Sequence, residues 1–140
     1  MRKMDQAEIL DYVDEKPRAA HIATVRADGR PHTAVIWVIR DGDDLVFTTW
    51  HTSVKAKNIA RTGQAAISLD DQTDGSYVVI EGTVTIDPSP EVVRHWAARL
   101  GGKYMGEDRA EEFGARNGIP GEVTCRLRPT HMSGVRGITD

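Results

Sequence analysis

Cysteine is nearly missing from this chain. Cys125 is the single one in 140 residues, which excludes an internal disulfide and any cysteine-cluster metal site. It sits in the alternating run Val-Thr-Cys-Arg-Leu, so a packed thiol on a strand is expected, not a nucleophile. Long apolar runs are missing too. None approaches the roughly 18 residues that span a bilayer, and the opening Met-Arg-Lys-Met-Asp-Gln has no apolar signal core. Positive charge is not in excess: 18 Lys and Arg face 21 Asp and Glu, for a net charge of −3. That balance argues against a general nucleic-acid partner, which needs a basic face. His21, His95 and His131 show no metal-ligand spacing, and no Ser/His/Asp or paired-carboxylate set is visible, so neither a metal nor a catalytic side chain is expected. These gaps fit a cytoplasmic protein that does not enter a membrane. At 140 residues and 39% hydrophobic, the chain 1–140 is expected to be one domain with a real core.

A local gap carries more information. From Leu45 to Leu69 there is no carboxylate, yet Lys55, Lys57 and Arg61 are all present. Leu45 to Asn58 reads as an apolar strand, a Thr/Trp/His turn and a helix start, with Thr52 or Ser53 as N-cap. Lys55 falls about two positions into that helix, where a cation faces the positive end of the helix dipole at a cost of a few tenths of a kcal/mol. An anion held over the free N–H groups of the helix start would remove that cost. The pattern points to a phosphate-binding strand–turn–helix. Junctions of this kind also occur where nothing binds, and there is no Gly-rich phosphate loop nearby.

Elsewhere the chain alternates strands and turns. Asp5 to Tyr12 is expected as an amphipathic helix stopped before Pro17. Ala19 to Val25 and Pro31 to Ile39 are expected strands around the hairpin signal Asp28-Gly29. Leu45 to Thr49 follows, then a helix from about Ser53 to Arg61 closed by Gly63. Gln64 to Asp70 and Tyr77 to Ile86 are further strands, the second with Gly82 in its interior. Pro90 opens a helix through Leu100, Glu107 to Ala115 is a charged helical piece, and Glu122 to Leu127 is a last strand paired with Met132 to Val135. Five or six mostly sequential strands and few helices predict a mainly β (α+β) fold, a small antiparallel barrel.

The ordered set Asp28-Gly29-Arg30-Pro31, Val35-Ile36-Trp37-Val38, Thr48-Thr49, Ser53-Val54-Lys55-Ala56-Lys57-Asn58 and Gly82-Thr83-Val84 resembles the pyridoxamine 5′-phosphate oxidase-like split β-barrel flavoproteins. It is most similar to the small actinobacterial branch that uses coenzyme F420, a deazaflavin. The resemblance spans about Ala19 to Pro129. It implies a six-stranded antiparallel split β-barrel of the FMN-binding type. It also implies phosphate or tail contacts from Thr48, Thr49, Ser53, Lys55 and Lys57, with Asn58 nearby. Lys55 and Lys57 lie about 200° apart on a helix, so Lys55 is the phosphate candidate; Lys57 is either a tail contact or a solvated surface lysine. His32, Ala34, Val35, Ile36 and Trp37 become the ring candidates, although spacing alone favours an ordinary core place for Trp37. The resemblance further implies a homodimer with the cofactor at the interface, closed by Tyr77, Trp96, Tyr104 or Arg116 of the second chain. The implied activity is hydride transfer from reduced F420 to a small conjugated acceptor: a quinone, an enone or a tetrapyrrole-like pigment. The alternatives are an FMN-binding oxidoreductase of the same fold, a non-catalytic cofactor carrier, or a haem binder using His131. The vitamin-B6 oxidase itself is not favoured, because that enzyme's C-terminal substrate-binding segment is not found.

Overall fold

The computed structural model describes residues 1–137. In chain order the elements are β1 (Arg2–Lys3), α1 (Gln6–Glu15), β2 (Ala20–Val25), β3 (Pro31–Ile36), β4 (Ile39–Asp41), β5 (Asp44–Trp50), α2 (Val54–Thr62), β6 (Gln64–Asp71), β7 (Ser76–Asp87), α3 (Pro90–Met105), a 3-10 turn (Glu107–Arg109), α4 (Ala110–Asn117) and β8 (Glu122–Arg136). All strands join one antiparallel sheet in the order β3-β2-β6-β7-β8-β5-β4, with β1 added to β8. The fold is the expected split-barrel α+β type, built from eight strands where six were expected. The ladder stays open between its end strands β3 and β4, which are consecutive in the chain.

The two extra strands are β4, split from an expected strand, and β1. The expected strand Pro31 to Ile39 is cut at Trp37-Val38, because α3 takes the backbone of Val38 out of the ladder. The Tyr104 hydroxyl accepts from the Val38 N–H at 3.2 Å, and Lys103 Nζ donates to the Val38 carbonyl at 2.7 Å. The two expected final strands are instead one, β8, which pairs with β5 on one side and β7 on the other. Pro129 falls inside β8. A bulge absorbs it: Glu81 faces His131 and the next residue, Gly82, faces Pro129, so Thr130 is the extra residue. Gly82 is required there, since a Cβ would lie 2.1 Å from the carbonyl oxygen of Arg128. The very short β1 had no pattern to announce it.

The helices cap as their sequences suggest. Asp5 accepts from the Glu8 N–H to start α1, and Gly63 ends α2. α3 runs past Leu100 to Met105 because Gly101 lets the helix press against Phe113, whose Cβ would stand 2.6 Å from an added methyl. The main core fills the barrel with Tyr12, Ile22, Phe47, Ile67, Leu69, Ile80 and Leu127, all fully buried. A second cluster, Ile39, Val46, Trp96 and Leu100, packs α3 onto the outer side of β4 and β5. No helix among the described residues is long and apolar enough to cross a membrane.

Candidate functional site

The start of α2 is built as the sequence suggested. Ser53 is the N-cap, its Oγ accepting from the Ala56 N–H at 3.2 Å and lying 3.0 Å from Thr49 Oγ1. Lys55 is the second residue of the helix, beside N–H groups that the first turn leaves without helical partners. The strand β5 that feeds this turn pairs with β8, so that Thr48 stands opposite Thr124 and Trp50 opposite Glu122. On β8 the residues Val123, Cys125 and Leu127 point into the core, which turns Glu122, Thr124 and Arg126 to the outer side with Thr48.

A cleft of about 300 Å³ opens on that side. It is lined by Val35 and Ile36 at the end of β3 with Trp37, by Thr48 and Glu122 of the paired strands β5 and β8, and by Lys55. Ala97 and Leu100 of α3 and Asn117 of α4 complete the enclosure. Trp37 is both core and site. One ring face stacks on Tyr104, with centroids 5.2 Å apart and planes 5° from parallel, and Phe113 meets it edge-on at 5.4 Å. Tyr104 is itself fixed, donating to the Arg18 carbonyl at 2.7 Å. The indole plane is therefore rigid before any ligand arrives. Burial raises the Glu122 carboxyl above its ordinary range, while the ammonium of Lys55 acts in the opposite direction.

Thus the structure brings Val35, Ile36, Trp37, Thr48 and Lys55 to one cleft, although they come from three separate segments. Thr49 and Ser53 lie behind it as the cap. Asn58 is buried and donates to Thr24 Oγ1 at 3.0 Å, which ties α2 to β2. Lys57 is exposed, away from the cleft lining. Ala34 packs on the core. His32 is half-buried outside the cleft, its Nδ1 enclosed without a hydrogen-bond partner. Of the four residues considered for closing a partner's site, Trp96 is buried and Tyr104 is bound inside its own chain, whereas Tyr77 and Arg116 are exposed. His21 and His95 lie on the surface, and His131 lines a separate groove with Arg40 and Arg128. Among the described residues no three His, Cys, Asp or Glu side chains converge as a metal site.

Sequence reasoning missed Glu122, Ala97, Leu100 and Asn117. The polar alternation Glu122-Thr124-Arg126 was legible as one face of a strand. Which strand lay beside it was not.

Fold and cleft define an antiparallel split-barrel protein with a cleft lined by apolar side chains and a cationic helix start. Residues 6–136 match the pyridoxamine 5′-phosphate oxidase family, and the chain belongs to that family. A pyridoxine/pyridoxamine 5′-phosphate oxidase of Acidothermus cellulolyticus is 30% identical over 93 residues, covering 66% of this chain and 42% of that protein. The chain spans less than half the length of the curated relatives it matches. Among solved structures, an F420 reductase is 29% identical with a TM-score of 0.71, covering 87% of this chain and 94% of the other. The conserved hypothetical protein Rv2991 of Mycobacterium tuberculosis superposes with a TM-score of 0.83 over 96% of this chain and 86% of its own, at 24% identity, a likeness of fold.

Proposed function

We propose that this chain is an oxidoreductase that holds a phosphate-bearing flavin or deazaflavin in the cleft, and that its cofactor is reduced F420. The observation that carries the reading is the junction itself: Lys55 and Thr48 line one cleft with Val35, Ile36 and Trp37. The donor set suits the group, with an ammonium, a hydroxyl and free helix N–H groups at one end for an anion and apolar surface for a ring system. When bound, the cofactor supplies the hydride. The chain's residues bind and orient. Lys55 and Thr48 anchor the phosphate, Ser53 and Thr49 hold the helix start in place, and Trp37, locked by Tyr104, fixes the ring plane. Lys57, exposed on α2, is available to an anionic tail. Ala97 and Leu100 keep water from the reacting face, where a conjugated acceptor (quinone, enone or tetrapyrrole-like) would lie.

The proposal includes a homodimer. The outer face of the sheet carries the cross-strand rows Val35, His21, Ser68, Val79 and Ser133, and Thr33, Ala23, Ala66, Glu81 and His131. Mostly small or uncharged, these rows suit contact with a second copy. Val35 lines the cleft yet is 65% exposed, so a partner seated on that face would close the cleft.

Side-by-side titration of the purified protein with F420 and FMN, read by fluorescence quenching, tests the cofactor. Affinity in the micromolar range or tighter for F420, with weak FMN binding, supports the reading and justifies an acceptor screen. The reverse preference makes the protein FMN-dependent, and binding of neither removes the function.

A further inference from the structure

Charge in the cleft is scarce. Of its lining residues Lys55 is the one cation and Glu122 the one carboxylate. The other cations of α2, and Arg126 of β8, are engaged or turned away. Lys57 is exposed outside the cleft lining. Arg61 donates to Asn58 and to the Val25 carbonyl. Arg126, on the same face of β8, is held by Asp41 at 2.8 Å and Asp44 at 3.2 Å. The Glu122 backbone is fixed at the cleft, because β8 pairs it with Trp50 at the end of β5, beside the turn that opens α2. An anion seated on Lys55 therefore has a half-buried carboxyl group as its neighbour.

That arrangement counts charges. The helix start contributes roughly half a positive charge, Lys55 a full one, and Glu122 either cancels much of this or must take up a proton. A phosphomonoester carries about −1.5 to −2 near neutral pH; a phosphodiester carries a single charge. At the separations within one cleft, and in the reduced dielectric of a partly buried site, one extra negative charge is strongly disfavoured. Resting on the anion-cleft reading above, we infer that Glu122 is a specificity-determining residue that makes the cleft select phosphodiester over phosphomonoester ligands. The structure thereby favours a cofactor whose phosphate is esterified on both sides.

The test uses two probes with the same ring, riboflavin 5′-phosphate and its monomethyl ester, titrated by flavin fluorescence into wild-type protein, Glu122→Gln and Lys55→Ala. Wild type should bind the methyl diester at least ~10-fold more tightly than the monoester, and Glu122→Gln should shrink that gap to about threefold or less, chiefly by tightening the monoester. Equal affinity of wild type for both probes, or an unchanged gap in Glu122→Gln, overturns the inference while leaving the cleft reading standing. If Lys55→Ala leaves both affinities unchanged, or if neither the probes nor F420 bind, the cleft reading itself fails. Glu122→Ala removes the carboxyl without placing an amide in the cleft, and gives the same readout should the glutamine variant lose its fold.

Discussion

At the scale of single residues, three positions show how little freedom the interior leaves. Cys125 is fully buried on β8, and burial pushes its thiol up to about 12. Native protein should therefore resist aromatic disulfide reagents at pH 8 and react with one equivalent once unfolded; rapid labelling of the native state would contradict this burial. Gly82 leaves no room for a methyl group against the Arg128 carbonyl. Gly82→Ala should cost about 3 kcal/mol or more, since backbone cannot move aside as a side chain would, and thermal denaturation measures it. Tyr104→Phe removes the acceptor of the Val38 N–H and the donor to the Arg18 carbonyl. The expected loss is about 1–3 kcal/mol in urea unfolding, with altered Trp37 fluorescence as its stacking partner loosens.

Among the elements, α2 carries the clearest trade of stability against binding. Lys55 stands at the positive end of the helix, where alanine is the better helix residue by a few tenths of a kcal/mol. Lys55→Ala should leave the melting temperature unchanged or slightly raised and weaken cofactor binding at least ~10-fold. A stability loss without a binding loss would reverse the assignment. The β6–β7 turn makes the acid limb of stability. Thr73, then Lys16 and Arg18, hold the Asp71 carboxyl well below the usual carboxylate range. Its folded pKa is depressed, so its stabilising contribution is complete above the unfolded value near 4 and is lost as pH falls below it. Urea melts from pH 7 to 3 should show this slope, and Asp71→Asn should start less stable at pH 7 and lose less on acidification.

For the whole molecule the expectation is association through the outer sheet face. Val79→Lys places a charge in the middle of that face while its neighbours Val78 and Ile80 stay in the core. It should convert a dimer to monomers in sedimentation velocity and weaken cofactor binding in parallel. A monomeric wild type would refute the shared site.

Much of this was already written along the chain. Alternation marked β2, β6 and β7, Asp28-Gly29 marked a hairpin, and Ser53 with Gly63 bracketed α2, because periodicity and capping act between residues a few positions apart. Lys55 at the helix start was legible for the same reason, whereas Thr48 came from the family resemblance. What the sequence could not decide was adjacency across the sheet. Lys103 and Tyr104 interrupt a strand some 65 residues earlier, a bulge opposite Gly82 carries Pro129 through a central strand, and β8 sets Glu122 beside a helix start that no nearby carboxylate reaches. Any alternating strand offers the same backbone donors and acceptors to any other. Partner and register are settled only when all the side chains pack at once, and that choice placed a carboxyl group in the cleft.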